Sequence, residues 1–108
     1  MKLTESELWT EAKDLAVLVC SNVKVHQYTV SPGIIEQLVD CVVTLSTDIA
    51  WEIDGSEDSC EGLQKVACGR LAQIMTLAAM AHELGDISAE VFGHIKDRAE
   101  RIYGLIGS

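Results

Sequence analysis

Basic residues are scarce in this sequence. Its 108 residues contain 8 Lys and Arg against 17 Asp and Glu, which gives a formal net charge of −9. Direct binding to DNA or RNA is therefore disfavoured, because a phosphate backbone repels such a chain. A hydrophobic content of 48% excludes a low-hydrophobicity disordered chain, and the length supports one domain over residues 1–108.

Long apolar runs are also missing. The longest, Leu71–Ala81, has 11 residues and is interrupted by Gln73 and Thr76, whereas a membrane-spanning helix needs roughly 20. The amino terminus is polar and acidic, and the short apolar run Leu15–Cys20 lies too far in for a signal peptide. We therefore expect no membrane association and a cytoplasmic location.

Sequence motifs for catalysis and redox chemistry are lacking as well. There is no Gly-x-x-x-x-Gly-Lys, Gly-x-Ser-x-Gly or Gly-x-Gly-x-x-Gly, so the sequence predicts no catalytic residue, cofactor or metal ligand. No pair among the four cysteines has Cys-x-x-Cys spacing, and each lies in a helical apolar pattern. We expect reduced thiols in the core. The cysteines are Cys20, Cys41, Cys60 and Cys68.

Four segments have apolar residues at three- and four-residue steps, a pattern typical of amphipathic helices. It predicts an all-α, single-domain four-helix bundle. The expected helices span about residues 4–22, 32–53, 58–84 and 89–106.

Start and stop signals set these limits. Thr4 and Glu7 predict a capping box at the start of the first helix, and Ser31-Pro32 is a strong start for the second. Asp54-Gly55 predicts a turn after the second helix, and Gly85 is expected to end the third.

The segment 23–30 interrupts the helical pattern and is rich in β-branched residues. It is predicted to be an extended connector, and pairing with a second copy is a weaker alternative. Lys24, His26 and Tyr28 form the only basic and aromatic group in the acidic half. They are the first candidates for binding a small anion or nucleotide, but the favoured interpretation is an ordinary loop with Tyr28 packed over the bundle end.

The third helix is nearly apolar from Leu71 to Ala81. Such a helix lies either inside its own bundle or between two subunits. A bundle of this size has little interior, so we expect a homodimer, the commonest kind of assembly. The alternative is a monomer that encloses this helix.

The negative charge is confined to one region. Residues 1–61 hold twelve acids and three bases, whereas residues 62–108 hold five of each. No Lys or Arg occurs from Val25 to Gln64, and several acids there have four-residue spacing, which predicts an acidic stripe along the second helix and the following loop. The eight acids of this stretch are Glu36, Asp40, Asp48, Glu52, Asp54, Glu57, Asp58 and Glu61.

The charged region favours one function over others. We expect a non-enzymatic interaction module whose acidic face binds a basic protein surface, such as that of a nucleic-acid-binding protein. An inhibitor or nucleic-acid mimic of the kind found in phage–host conflict has this size and charge. The competing interpretation is a solvated face that only maintains solubility.

A second function class uses the carboxylates as metal ligands. The segment from Glu52 to Glu61 partly matches an EF-hand loop but has Ala50 at the first position. Glu11-x-x-Asp14 and Glu83-x-x-Asp86 have a spacing that resembles the magnesium-binding pairs of all-α nucleotide pyrophosphohydrolases. The alternative function is therefore a metal-dependent nucleotide hydrolase or a nucleotide- or metal-binding bundle.

Overall fold

The computed structural model describes residues 6–55 and 60–107. These residues form four helices and no strand, so the predicted all-α, four-helix fold is confirmed. None of the described helices is both long and apolar enough to cross a bilayer. The helices are α1 (Glu7–Asn22), α2 (Pro32–Gly55), α3 (Cys60–Glu83) and α4 (Ala89–Gly107).

The helices pack side by side in a ring of four. α1 contacts α2 and α4, and α3 contacts the same two helices, while the described residues of the diagonal pairs have no Cα atoms within 8 Å of one another. Neighbouring helices are antiparallel: Arg70 in the first half of α3 reaches Asp48 in the second half of α2. The result is an elongated up-and-down bundle of 46 × 21 × 19 Å.

The core consists of the apolar seams expected from the sequence. Each helix contributes residues at three- and four-residue steps, and burial of each large one stabilises the fold by roughly 1.5–3 kcal/mol. The largest fully buried side chains are Leu15, Val19, Ile35, Leu38, Val42, Leu45, Ile49, Ile74, Ile95 and Ile102.

Two helix limits differ from the expected ones. The N-cap of α1 is Ser6, whose Oγ accepts a hydrogen bond from the Trp9 amide at 3.1 Å, so Thr4 is not the cap. α2 continues through Asp54-Gly55, and the turn predicted there is wrong. The last turn of α2 stays helical because Ile53 packs against the core.

The end of α3 follows the prediction. Gly85 has φ +85°, a left-handed conformation that glycine adopts without steric cost. The Gly85 amide donates to the His82 carbonyl at 3.0 Å, and the Asp86 amide donates to the Ala81 carbonyl at 2.8 Å. Both bonds belong to a Schellman motif, which turns the chain toward α4.

The connector between α1 and α2 is less extended than expected. Val23 is extended and buried, but His26 to Thr29 form a tight turn in which the Thr29 amide donates to the His26 carbonyl at 3.0 Å. The Thr29 hydroxyl in turn accepts from the His26 amide at 2.8 Å. This side-chain bond favours a turn over a strand.

Some apolar positions expected inside are at the surface. Val17 and Cys20 are exposed on α1, because each helix of the ring is covered by only two neighbours. Ala72 and Thr76 are exposed on α3, so that helix is not enclosed by its own bundle. Cys41 is buried and Cys68 is half-buried, while the side chain of Cys60 lies outside the described residues.

Candidate interaction surface

One side of α2 faces solvent along most of its length. Its residues follow at four-, three-, four- and four-residue steps, which keep them on one side of a helix. All of them are exposed, and we call this set the α2 outer face. It consists of Glu36, Asp40, Val43, Thr47 and Trp51.

The first two members of this face are acids that form no ion pair with the residues the structure describes. Glu36 and Asp40 are one helical turn apart and exposed, and neither pairs with a base among the described residues. Like charges at this spacing destabilise an isolated helix by a few tenths of a kcal/mol. Within the described part of the chain, no ion pair therefore neutralises either charge.

The predicted acidic stripe divides further along the helix. Each four-residue step advances about 40° beyond a full turn, so Asp48 and Glu52 rotate away from Glu36. Asp48 accepts a hydrogen bond from Arg70 Nε at 3.2 Å and is thereby tied to α3. Glu52 is half-buried. The α2 outer face thus keeps only two of these four acids.

The four acids from the end of α2 to the start of α3 are not placed on this surface. Glu57 and Asp58 lie outside the described residues, and so do the side chains of Asp54 and Glu61. Their membership of the acidic face remains a prediction from the sequence.

An apolar groove runs beside the two unpaired acids. It has a volume of about 470 Å³ and lies between the end of α1, the connector and the first half of α2. Val23 and Ile35, both buried, form its base. Lys24, Glu36 and Asp40 are its charged lining residues. The remaining lining residues are Cys20, Val25, Val39 and Val43.

The three candidate ligand-loop residues do not act as one group. Lys24 lines the groove, whereas His26 and Tyr28 do not. Their rings are 6.2 Å apart, edge to face, and His26 Nδ1 accepts a hydrogen bond from the Tyr28 amide. Tyr28 is 77% exposed, so the alternative in which it packs over the bundle end is wrong.

Asp86 fixes the connector in place. Its Oδ1 accepts from the Val30 amide at 2.7 Å and its Oδ2 from the Ser31 amide at 3.0 Å. These bonds join the connector to the turn between α3 and α4, immediately before α2 begins. The start of α2, and with it Glu36, is held by a residue about fifty positions away in sequence.

Sequence reasoning missed Trp51, which is 74% exposed at the end of the α2 outer face. An exposed tryptophan is uncommon and often marks a binding surface. The sequence does contain a signal for this exposure. Val43, Thr47 and Trp51 follow at four-residue steps, on the side of the helix that does not carry the buried seam. It was overlooked because an apolar residue in a helix is ordinarily assigned to the core.

The carboxylates proposed as metal ligands have other partners. Glu11 is bound by Arg98 and Arg101, with the shortest contact at 3.1 Å, and Asp86 accepts from two backbone amides. Within residues 6–55 and 60–107 no group of three or more His, Cys, Asp or Glu converges as a metal site would require. Helix α2 also runs through Ala50–Gly55, where an EF-hand would need a loop.

The two later histidines have different surroundings, and only His82 contacts the turn between α3 and α4. The His82 ring stacks on Phe92 with centroids 5.1 Å apart, and its Nδ1 lies 3.3 Å from the Ile87 carbonyl. His94 lies 3.8 Å from Glu90 on an exposed side of α4. The two rings have separate partners and do not form a shared ligand set.

Comparison with known proteins adds no constraint. No family model matches the chain, and no curated protein or solved structure is significantly similar to it. A function for this protein therefore has to be argued from the geometry of its own surface.

Proposed function

We propose that the protein is a non-enzymatic interaction module that binds a basic segment of a partner protein on the α2 outer face and its adjoining groove. The supporting observation is the position of Glu36 and Asp40, two exposed carboxylates that have no ion pair with the described residues and that line an apolar groove. A solvated face that served only solubility would not require an apolar groove beside the acids.

The surface specifies the chemistry of its partner. A segment with two Lys or Arg residues about one helical turn apart would pair with Glu36 and Asp40. An apolar side chain on the same segment would enter the groove between Val39 and Val25. Trp51, farther along the α2 outer face, provides a large apolar anchor of the kind that dominates interface energies.

The net negative charge of the whole chain also favours a basic partner. The chain carries −9 overall, and its first 61 residues account for the whole imbalance. Such a field accelerates encounter with a basic surface and repels nucleic acid. A protein with a cationic nucleic-acid-binding groove therefore fits better than the nucleic acid itself, and occupation of that groove would make this chain an inhibitor.

The alternative of a metal-dependent nucleotide hydrolase has weaker support. Glu11 already forms ion pairs with two arginines, and Asp86 accepts hydrogen bonds from the connector. Neither carboxylate is available as a ligand without loss of a contact that holds the bundle together.

The proposal is tested with a helical peptide of about 18 residues that carries Lys on one face and Leu on the other. A second peptide of equal charge has Ser in place of Leu. We expect the Leu peptide to bind more tightly by about tenfold, because only its apolar face enters the groove. Fluorescence polarisation of labelled peptide at low and high salt measures both affinities.

Matched variants locate the binding site. Glu36→Gln with Asp40→Asn removes two charges from the α2 outer face, and Glu90→Gln with Asp97→Asn removes two exposed charges from α4. We expect the first pair to weaken binding of the Leu peptide about tenfold and the second pair less than about twofold. Equal effects of the two pairs would show that the charge acts diffusely, and the proposed site would be wrong.

A further inference from the structure

A second apolar groove lies between α3 and α4, on the electrically neutral half of the chain. It has a volume of about 260 Å³. Tyr103 stands at its edge and is 62% exposed. Its lining includes Leu71 and Met75 from α3, and Lys96, Ala99, Glu100 and Tyr103 from α4.

The charges at this groove form a self-complementary pair. Lys96 and Glu100 are exposed, lie one helical turn apart on α4 and have opposite signs. Neither forms an ion pair with any described residue. Two copies of α4 packed antiparallel about a two-fold axis between these residues would place each Lys96 opposite the Glu100 of the other copy.

We propose that the α3–α4 groove is a self-association surface and that its occupant is a second copy of this chain. A strongly basic or acidic partner would find no net charge at the groove, whereas a second copy satisfies both Lys96 and Glu100. Tyr103 of each copy supplies an aromatic anchor, the type of residue enriched at such interfaces.

The distribution of charge over the whole chain favours the same face. Two copies that each carry −9 repel one another, and the repulsion is smallest where they approach through residues 62–108, which hold five acids and five bases. Because α4 lies diagonally across the bundle from α2, the α2 outer face stays accessible in such a dimer. The inference is thus independent of the proposed function.

A charge-swap experiment tests the two-fold pairing. Lys96→Glu places like charges opposite one another, and so does Glu100→Lys, so each single variant should weaken the dimer by about tenfold or more. The double variant Lys96→Glu, Glu100→Lys restores complementarity with the signs reversed and should return the dissociation constant to within about threefold of the original. Sedimentation equilibrium up to about 100 μM measures these constants.

Two control variants separate pairing from general charge. Asp97→Lys changes the net charge as Glu100→Lys does, and Lys65→Glu changes it as Lys96→Glu does. Both control residues are exposed and absent from the groove lining, so we expect their dimers to weaken by less than about threefold. Circular dichroism verifies that every variant is helical.

Three outcomes would overturn the proposal. One is a monomeric mass for the unmodified chain at the highest concentration. Another is equal weakening by the groove variants and their controls, and the third is failure of the double variant to recover. None of these results would affect peptide binding at the α2 outer face.

Discussion

Arg98 joins the last helix to the first through Glu11. Its Nη1 lies 3.1 Å from Oε1 and 3.4 Å from Oε2 of that carboxylate. Arg101 Nη1 approaches the same Oε1 at 3.4 Å. The Glu11 side chain is only 11% exposed, and these contacts replace the hydration that its charge loses on burial.

Replacement of Glu11 by alanine should lower the free energy of unfolding by about 2 kcal/mol. The loss is smaller than for a fully buried pair because the released arginines are partly exposed and regain water. Urea denaturation measures the change. Asp14→Ala is the control: its carboxylate lies 3.9 Å from Arg98 and is partly exposed, so a change below about 0.5 kcal/mol is expected. Similar losses for both variants would contradict the importance of the Glu11 contact.

Removal of the Asp86 carboxylate should loosen the connector. Asp86→Ala leaves the Val30 and Ser31 amides without their acceptor, and we expect a loss of about 1–2 kcal/mol in stability. Amide hydrogen exchange should accelerate at these two residues. Asp97→Ala removes an exposed acid with no hydrogen bond among the described residues and should leave exchange unchanged. Undiminished protection in Asp86→Ala would mean that the two bonds do not hold the connector.

The buried thiol of Cys41 should make stability decrease at alkaline pH. Burial raises the pKa of Cys41 and nearby Asp40 adds to this effect, while Arg70 opposes it. As pH rises above the ordinary thiol range, the unfolded chain loses this proton before the folded chain does, so the free energy of unfolding falls. Comparison with Cys41→Ala between about pH 7.5 and 10 isolates this contribution. Parallel pH profiles for the two proteins would disprove it.

The surroundings of Trp51 should attract cations. In Trp9→Phe, which leaves Trp51 as the only indole, caesium should quench fluorescence about twofold more effectively than iodide at low ionic strength. In Trp51→Phe the preference should be weaker or reversed, since Lys13 Nζ lies 5.5 Å from the Trp9 ring centroid. Salt should abolish the difference. Equal quenching of Trp51 by both ions would argue against a negative field at the α2 outer face.

The architecture of this chain was accessible from sequence because it depends on local signals. The apolar period located all four helices, and Gly85 marked the end of α3 through the one backbone conformation that favours glycine. The predicted start of α1 was wrong by a few residues, since Thr4 and Ser6 are both suitable caps. Packing of Ile53 against the core extended α2 past a sequence that otherwise favours a turn.

The interaction surface was only partly accessible, because it depends on the rotation of α2 against its neighbours. From spacing alone, Asp48 and Asp40 were expected on the same face. In the structure α3 packs beside this part of α2, and Asp48 forms an ion pair with Arg70. The exposure of Trp51 likewise depends on which side of α2 the other helices cover. The sequence identifies the charged region. Which of its acids stay exposed and outside ion pairs with the described residues depends on tertiary packing.

The contact between Glu11 and the last helix also bears on how the chain folds. A fragment that ended before α4 would have to bury this carboxylate without Arg98 or Arg101, or else leave α1 undocked. A three-helix intermediate is therefore costly, and the bundle should fold and unfold in one cooperative transition. Because the contact spans 87 positions, its formation closes nearly the entire chain into a loop, which places it late in folding.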